Sequence, residues 1–300
     1  MSGPTWLITG AEGLLGQHLQ VSLAGQSVVA LSRGALDVTD PEAARAALAC
    51  HKPDIVINCA GWTNTEAAEL HPQQAWQVNA NGPANIAAPC ARIGAVLLHI
   101  STDYVFPGAT SVPYPEAAPT APLNAYGRSK AAGEQAVLEA LPAGYVVRTA
   151  WLYGVGGRNF VRTMINLERA RDTVDVVNDQ HGQPTWAADL AEQIVQLGHA
   201  ARRGTAPAGI YHGTNSGAAT WYDLACETFR LLRANPARVR PITTDELDLL
   251  AARPAYSALA HGRWQATGIP PLRPWRAALH AAFPALLSDC VSTPLKAGAS

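Results

Sequence analysis

The chain has 300 residues, enough for one large α/β domain or a main domain with a smaller partner. Its 22 Lys and Arg balance 23 Asp and Glu, for a net charge of -1, so no whole-molecule field attracts nucleic acid or an anionic membrane, though a local basic pocket for a small anion stays open. A hydrophobic content of 48% with 15% charged residues excludes a disordered chain, and five cysteines without a CxxC pair signal neither a zinc site nor a disulfide framework.

TWLITG, Thr5 to Gly10, reads as a buried strand. No basic region with a long apolar run precedes it, and no segment approaches about 18 uncharged apolar residues, so a cytoplasmic protein without a membrane span is expected. AEGLLGQHLQVSLAG continues as a helix with Leu15, Leu19 and Leu23 at helical spacing, and SVVALS is a second strand. DPEAARAALACH opens a helix with Asp40 as N-cap and Pro41 at the first position. PDIVINCAG is a third strand. A helical segment from about Pro72 to Ile93 follows, with Gly82-Pro83 as an interruption, and then a fourth strand, GAVLLHIST. A Pro-rich loop, Phe106 to Leu123, precedes a long helix from Asn124 to Leu141 and a strand from Tyr145 to Thr149. Such a loop in a compact domain often borders a site.

Strand and helix alternate from the first residue, and the strands are nearly continuous apolar runs. That pattern predicts an α/β fold: a Rossmann-like doubly wound parallel sheet with a smaller C-terminal substrate-binding region. Residues 1–150 form the main part of the dinucleotide domain, completed by about 173–212. Residues 151–172 and about 213–290 form the substrate region, and 291–300 a flexible tail. Beyond residue 154 the elements read as a helix FVRTMINLERAR, a strand VDVVND, a turn HGQPT, a helix from WAAD capped by Thr185, a strand GIYHGTN and a helix TWYDLACETFRLL. The last third mixes short helices with prolines.

GAEGLLG spaces Gly10, Gly13 and Gly16 as GxxGxxG between strand and helix. Gly10 permits a sharp turn, Gly13 lets a pyrophosphate approach the backbone, and Gly16 lets the helix pack on the strand. Free N–H groups at the helix start, around Glu12, Leu14 and Leu15, suit phosphates. A packing turn without ligand is the alternative. Arg33, after the second strand, suits a 2'-phosphate and so NADPH over NADH, unless it is a solvated surface arginine. Asp37 and Val38 border the adenine, or belong only to a turn and cap.

Tyr126 and Lys130 in YGRSK share one helical face. An ammonium beside a phenol stabilises the phenolate and brings its pKa toward neutrality. Ser101, Thr102 and Asp103 stand at the carboxyl end of a strand, where open sheets bind ligands. Thr102 and Tyr126 are placed to polarise one carbonyl oxygen. A surface pair and a turn cap are the bland readings.

GAEGLLG, LDVTD, PDIVINCAGWT, STDYVFPG, PLNAYGRSK, RTAWLYG, NDQHGQPT and RPAYS occur in one order. Together they resemble the dTDP-4-dehydrorhamnose reductase family of the extended short-chain dehydrogenase/reductase superfamily, over almost the whole chain. The resemblance implies a catalytic Thr102, Tyr126 and Lys130. It implies NADPH, with NADH possible, held by the glycine turn, Ala60, Gly61, Thr63 and Asn79 as well as Tyr126 and Lys130. It implies a dTDP-sugar as substrate, the 4-keto group of dTDP-4-dehydro-L-rhamnose being reduced, with Thr102, Asp103, Tyr104, Trp151 and Arg253 facing the sugar nucleotide. Gly61, Trp62, Thr65 and Glu66 depart from the family's usual residues. Some relatives bind magnesium through glutamates at a subunit contact; the first such position is Ala188 here, beside Asp189, so no metal is expected. A monomer or homodimer, with no nucleic-acid or membrane partner, completes the expectation. Reduction of another dTDP-4-keto-6-deoxysugar is the near alternative. A silent regulatory subunit of the methionine adenosyltransferase type is the distant one, and cofactor oxidation separates it.

Overall fold

A computed structural model describes residues 3–292. The chain runs β1 (Thr5–Thr9), α1 (Leu14–Ser22), β2 (Ser27–Leu31), α2 (Pro41–His51) and β3 (Ile55–Asn58). Next come α3 (Thr65–Leu70), α4 (Pro72–Trp76), a π turn over Gln77–Asn81, α5 (Gly82–Ile93) and β4 (Val96–Thr102). The long helix α6 (Ala125–Ala140) and β5 (Tyr145–Thr149) follow. Beyond them lie β6 (Leu152–Tyr153), α7 (Phe160–Ala170), β7 (Val174–Val177), β8 (His181–Gly182), β9 (Thr185–Trp186) and α8 (Ala187–Arg202). The last elements among the described residues are β10 (Gly209–His212), β11 (Ala219–Thr220), α9 (Trp221–Leu231), β12 (Val239–Ile242) and α10 (Trp275–Ser292).

Six strands form one parallel sheet in the order β10-β5-β4-β3-β1-β2. Every residue of β3 is buried, which is why IVIN carries no polar alternation. On one face Trp6, Ile8, Leu19, Leu98 and Ile194 pack α1 and α8 onto the sheet. On the other, Leu7, Leu48, Val56, Ile86 and Val137 join α2, α5 and α6 to it. The strand order reverses around β1, which lies between β2 and β3. Open α/β sheets bind ligands outside the carboxyl ends of the strands at such a switch point. Those ends are Thr9-Gly10 and Asn58-Cys59.

Local signals account for the helix boundaries. The Asp40 side chain accepts from the N–H groups of Glu42 and Ala43, with Pro41 at the first position of α2. Asn124 caps α6 through the N–H of Gly127. Three expectations need correction. Gly82-Pro83 does not break the helix: the N–H of Gly82 reaches five residues back to Gln77, and this wider turn admits a proline that lacks an N–H. Thr185 does not cap α8; it belongs to β9, and Trp186 occupies the cap position without a side-chain bond. Residues 291 and 292 close α10 and are not tail; 293–300 lie outside the described residues.

The segment 173–212 divides between two layers. α8 and β10 pack with the six-stranded sheet, whereas β7 pairs with β12. α7, α9 and α10 gather around Tyr153, Ile165, Leu224, Trp275 and Leu279 to form the smaller C-terminal α/β region. Two carboxylates latch this region to the sheet. Glu66 accepts from the N–H groups of Leu250 (2.9 Å) and Ala251 (3.3 Å), and Asp103 accepts from the Ser257 hydroxyl (2.5 Å). Among the described residues no helix is long and apolar enough to cross a membrane.

Candidate active site

A two-lobed cleft opens at the switch point. The larger lobe, about 450 Å³, is walled by Gly10, Gly13, Leu14, Leu15 and Gly16 on one side and by Thr102, Asp103, Tyr126 and Lys130 on the other. Ala60, Gly61, Thr63 and Trp151 complete the expected part of its lining. The smaller lobe, about 240 Å³, shares Gly10, Gly13, Ala60 and Gly61 and extends to Glu12, Arg33, Asp37 and Val38. Residues scattered over the first 151 positions thus meet in one crevice.

The glycine turn owes its shape to close approach. Gly10 has φ +64°, and a Cβ there would stand 2.7 Å from the amide nitrogen of Ala60. A Cβ on Gly16 would lie 2.5 Å from the carbonyl oxygen of Gly10, so only glycine lets α1 start this near the strand. Gly13 precedes α1 as its N-cap with no side-chain bond to the first turn. The first N–H groups of α1 are therefore open to an anion in the cleft.

Across the cleft, α6 presents Tyr126, Lys130 and Glu134 at successive turns. Burial pushes the Tyr126 phenol up to about 12, with the nearby Thr102 hydroxyl working to lower it and the Asp103 charge adding to the rise. Lys130, expected from its spacing to tune that phenol, has its amine bonded elsewhere in this structure. Its Nζ donates to the Ile100 carbonyl at 2.5 Å, and burial lowers it to about 8, with Glu134 and Cys59 raising it. The phenol is thus fully protonated at neutral pH, the state a proton donor requires. Behind Lys130, Glu134 takes two bonds from Arg148, at 2.9 and 2.6 Å, and one from Ser101 at 2.5 Å. This ion pair is almost wholly buried.

Thr102 donates to Asp103 Oδ1 at 3.0 Å and accepts from the Tyr104 N–H at 3.2 Å. Burial raises the Asp103 carboxyl to about 6, while the Ser257 and Thr102 hydroxyls work to lower it. Asn79, inside the π turn, does not line the cleft. Its side chain accepts from the Trp62 N–H and donates to the Trp62 carbonyl and to Ser129 Oγ. Ser129 in turn donates to the Tyr126 carbonyl, so Asn79 ties the loop after β3 to the helix of Tyr126.

Tyr104 and Arg253 also stand outside the cleft lining. Tyr104 meets the Tyr126 ring edge-on, with centroids 5.9 Å apart, and the Arg253 guanidinium lies 5.7 Å from the Tyr104 centroid. Arg253 pairs with Glu66 and is largely buried, and among the described residues its Nη1 has no partner. Asp189 is held by both nitrogens of a fork from Arg273, at 2.9 and 2.6 Å, and by Asn215. No group of metal-ligating side chains occurs among the described residues. His99 is buried and well below the ordinary histidine pKa; among the described residues Asn58 is its one side-chain partner and its Nε2 has none. His18 is not a surface residue: half-buried, its Nε2 faces Gly154 without a partner.

Several lining residues escaped the sequence reading. Trp62, Cys59, Leu36 and Val78 shape the smaller lobe, and Thr149, Leu152 and Arg158 the larger. Thr149 Oγ1 is buried in the wall with no hydrogen-bond partner, so a polar ligand group fits there. Arg158 had one signal, its place after the glycines of GVGGRN. Trp151 adopts φ +45°, which for a bulky residue costs about 1–3 kcal/mol and marks an imposed orientation.

A doubly wound sheet with a glycine turn at its switch point and a YxxxK helix opposite defines a dinucleotide-type α/β oxidoreductase. The RmlD substrate binding domain matches residues 5–287, and the chain belongs to the RmlD/dTDP-4-dehydrorhamnose reductase family of the extended short-chain dehydrogenase/reductase superfamily. It is 58% identical to a dTDP-4-dehydrorhamnose reductase of Streptomyces griseus over 94% of both chains. It is 51% identical to a dTDP-4-keto-6-deoxy-D-glucose reductase of Streptomyces niveus, covering 95% of this chain and 98% of that one. The crystal structure of dTDP-4-dehydrorhamnose reductase from Bacillus anthracis in complex with NADP superposes with a TM-score of 0.90 at 37% identity, covering 95% of this chain and all of the other.

Proposed function

We propose that this protein reduces the 4-keto group of dTDP-4-dehydro-L-rhamnose with NADPH, giving dTDP-L-rhamnose. One observation carries the reading: Thr102, Tyr126 and Lys130 share the wall of a cleft that faces the uncapped start of α1. The glycine cradle, the open N–H groups and the orphan Thr149 hydroxyl fit a nicotinamide dinucleotide. That cofactor, when bound, supplies the hydride.

In this reading the N–H groups after Gly13 hold the pyrophosphate, Arg33 meets the 2'-phosphate and Lys130 holds the nicotinamide ribose. Tyr126 gives its proton to the carbonyl oxygen as charge develops on it. Thr102 turns its single hydroxyl hydrogen from Asp103 to the same oxygen. The chain contributes alignment and charge stabilisation. Trp151 faces the deoxyhexose, and Arg253 is assigned to the nucleotide's diphosphate as a charge-assisted donor.

Incubation with dTDP-4-dehydro-L-rhamnose and each nicotinamide cofactor, with product identification, tests the proposal. Tyr126→Phe is expected to lower turnover by roughly 10²–10⁴-fold while cofactor affinity persists. Full turnover in that variant removes Tyr126 as the donor, and absence of cofactor oxidation in the native protein ends the reading. A second reading, reduction of a different dTDP-4-keto-6-deoxysugar, draws support from Trp62 in the cleft and from the Streptomyces niveus relative. Matched sugar nucleotides separate the two.

A further inference from the structure

Trp151 is held in place from two sides by residues that take no part in the chemistry. Its ring lies nearly parallel to that of Trp221, at 8°, with centroids only 3.5 Å apart. Aromatic pairs left to themselves settle offset or edge-on at larger separations, so this overlap is imposed by the surroundings. The surroundings are visible. Trp221 opens α9, where Thr220 and Asp223 form a reciprocal capping box. Its Nε1 donates to Gln180 Oε1 at 3.2 Å, and Phe160 of α7 leans on its ring at 4.7 Å. The antiparallel pair β8–β11 sets Gly182 opposite Ala219, two residues before Trp221. A Cβ on Gly182 would come within 2.5 Å of Trp151 Cε2. The backbone of Trp151 is itself in the left-handed region and tied through its carbonyl to the Thr185 N–H. Four separate elements thus converge to fix one strained indole at the cleft wall.

We propose that Trp221 and Gly182 are positioning residues for the hexose subsite: Trp221 backs the Trp151 ring, Gly182 makes room for its edge, and together they set the plane against which the deoxysugar rests. This rests on the reading of Trp151 as the sugar-facing aromatic. The recognised chemistry is the apolar face of a 6-deoxyhexose. The dinucleotide does not depend on the platform, because the glycine turn and Arg33 lie on other elements.

Three variants test it: Trp221→Leu, Trp221→Phe and Gly182→Ala. Circular dichroism of the native protein is expected to show an exciton couplet from the stacked indoles, and Trp221→Leu to abolish it. Calorimetric titration then uses dTDP-L-rhamnose, dTDP and NADPH as probes. Trp221→Leu and Gly182→Ala are expected to weaken dTDP-L-rhamnose about tenfold, the scale of one aromatic contact, with dTDP and NADPH affinities unchanged. Trp221→Phe should recover most of the loss. Equal weakening of all three probes would mean a merely structural role and overturn the proposal, as would unaltered dTDP-L-rhamnose affinity. If the native protein itself binds dTDP-L-rhamnose no better than dTDP, the sugar-facing reading of Trp151 falls first and this inference with it. A native protein that discriminates, with variants that discriminate equally, overturns the inference alone.

Discussion

Lys130→Met is expected to make the ligand-free protein more stable while abolishing turnover. The amine is 5% exposed and sits at about 8 instead of 10.5 because burial disfavours its charged form. Holding that charge at neutral pH therefore costs about 3 kcal/mol. Methionine keeps the apolar stem but leaves the Ile100 carbonyl without its donor, a loss of about 1 kcal/mol. The net gain is roughly 2 kcal/mol at pH 7. The pH dependence fixes the cause. Between about 8 and 10.5 the folded chain binds fewer protons than the unfolded one, so native stability rises with pH across that window. The variant lacks this rise. Its advantage is complete below about pH 8 and is lost above 10.5, where the amine is neutral in both states. Urea unfolding of both proteins from pH 7 to 10.5 reads the difference directly. A variant less stable than the native protein at pH 7, or an advantage that ignores pH, would refute the reasoning.

Two further substitutions read other parts of the cleft. Arg33→Ala should weaken NADPH more than NADH, by the roughly tenfold or greater effect of one charge-assisted contact; equal losses measured by titration would end the phosphate argument. Asp103→Asn addresses a carboxyl raised from 3.8 to about 6, for which the folded chain holds the extra proton across that range. Native stability from this group therefore falls by about 3 kcal/mol as pH rises through the window, and the asparagine variant should lack that fall. Parallel pH profiles of unfolding for the two proteins would contradict it.

The sheet was legible because parallel strands buried on both faces write themselves as unbroken apolar runs. Asp40-Pro41 and Asn124 marked helix starts for the same local reason, a side-chain oxygen within reach of free N–H groups. What sequence could not show was set by contacts between distant segments. Gly82-Pro83 looks like a break until the preceding π turn supplies the extra residue. Glu66 stood out only as a departure from the family's usual residue, yet it latches a segment some 187 positions away, at Arg253. Spacing placed Lys130 near Tyr126, but spacing alone carries no direction for a four-carbon stem. The amine turned to Ile100, and the phenol kept its proton. Trp221 gave no signal at all, since an aromatic at a helix start is ordinary core until its partner is known.

The face of α6 that carries the chemistry also carries its electrostatic support, and this explains the state of Lys130. Glu134 lies one turn beyond the amine and is the strongest influence holding it charged. Were that carboxylate free, Lys130 would form the ion pair and be withdrawn from the cleft. Arg148, from β5, occupies both oxygens of Glu134 instead, and Ser101 adds a third bond. Removing either partner of such a buried pair leaves an uncompensated charge, so the pair is anchored at both ends. Glu134 can then act on Lys130 only at a distance. The amine consequently rests on a neutral carbonyl, close to its titration point, and remains available to the cleft. A lysine that must exchange partners as ligands arrive is better served by that weak hold than by a salt bridge of its own.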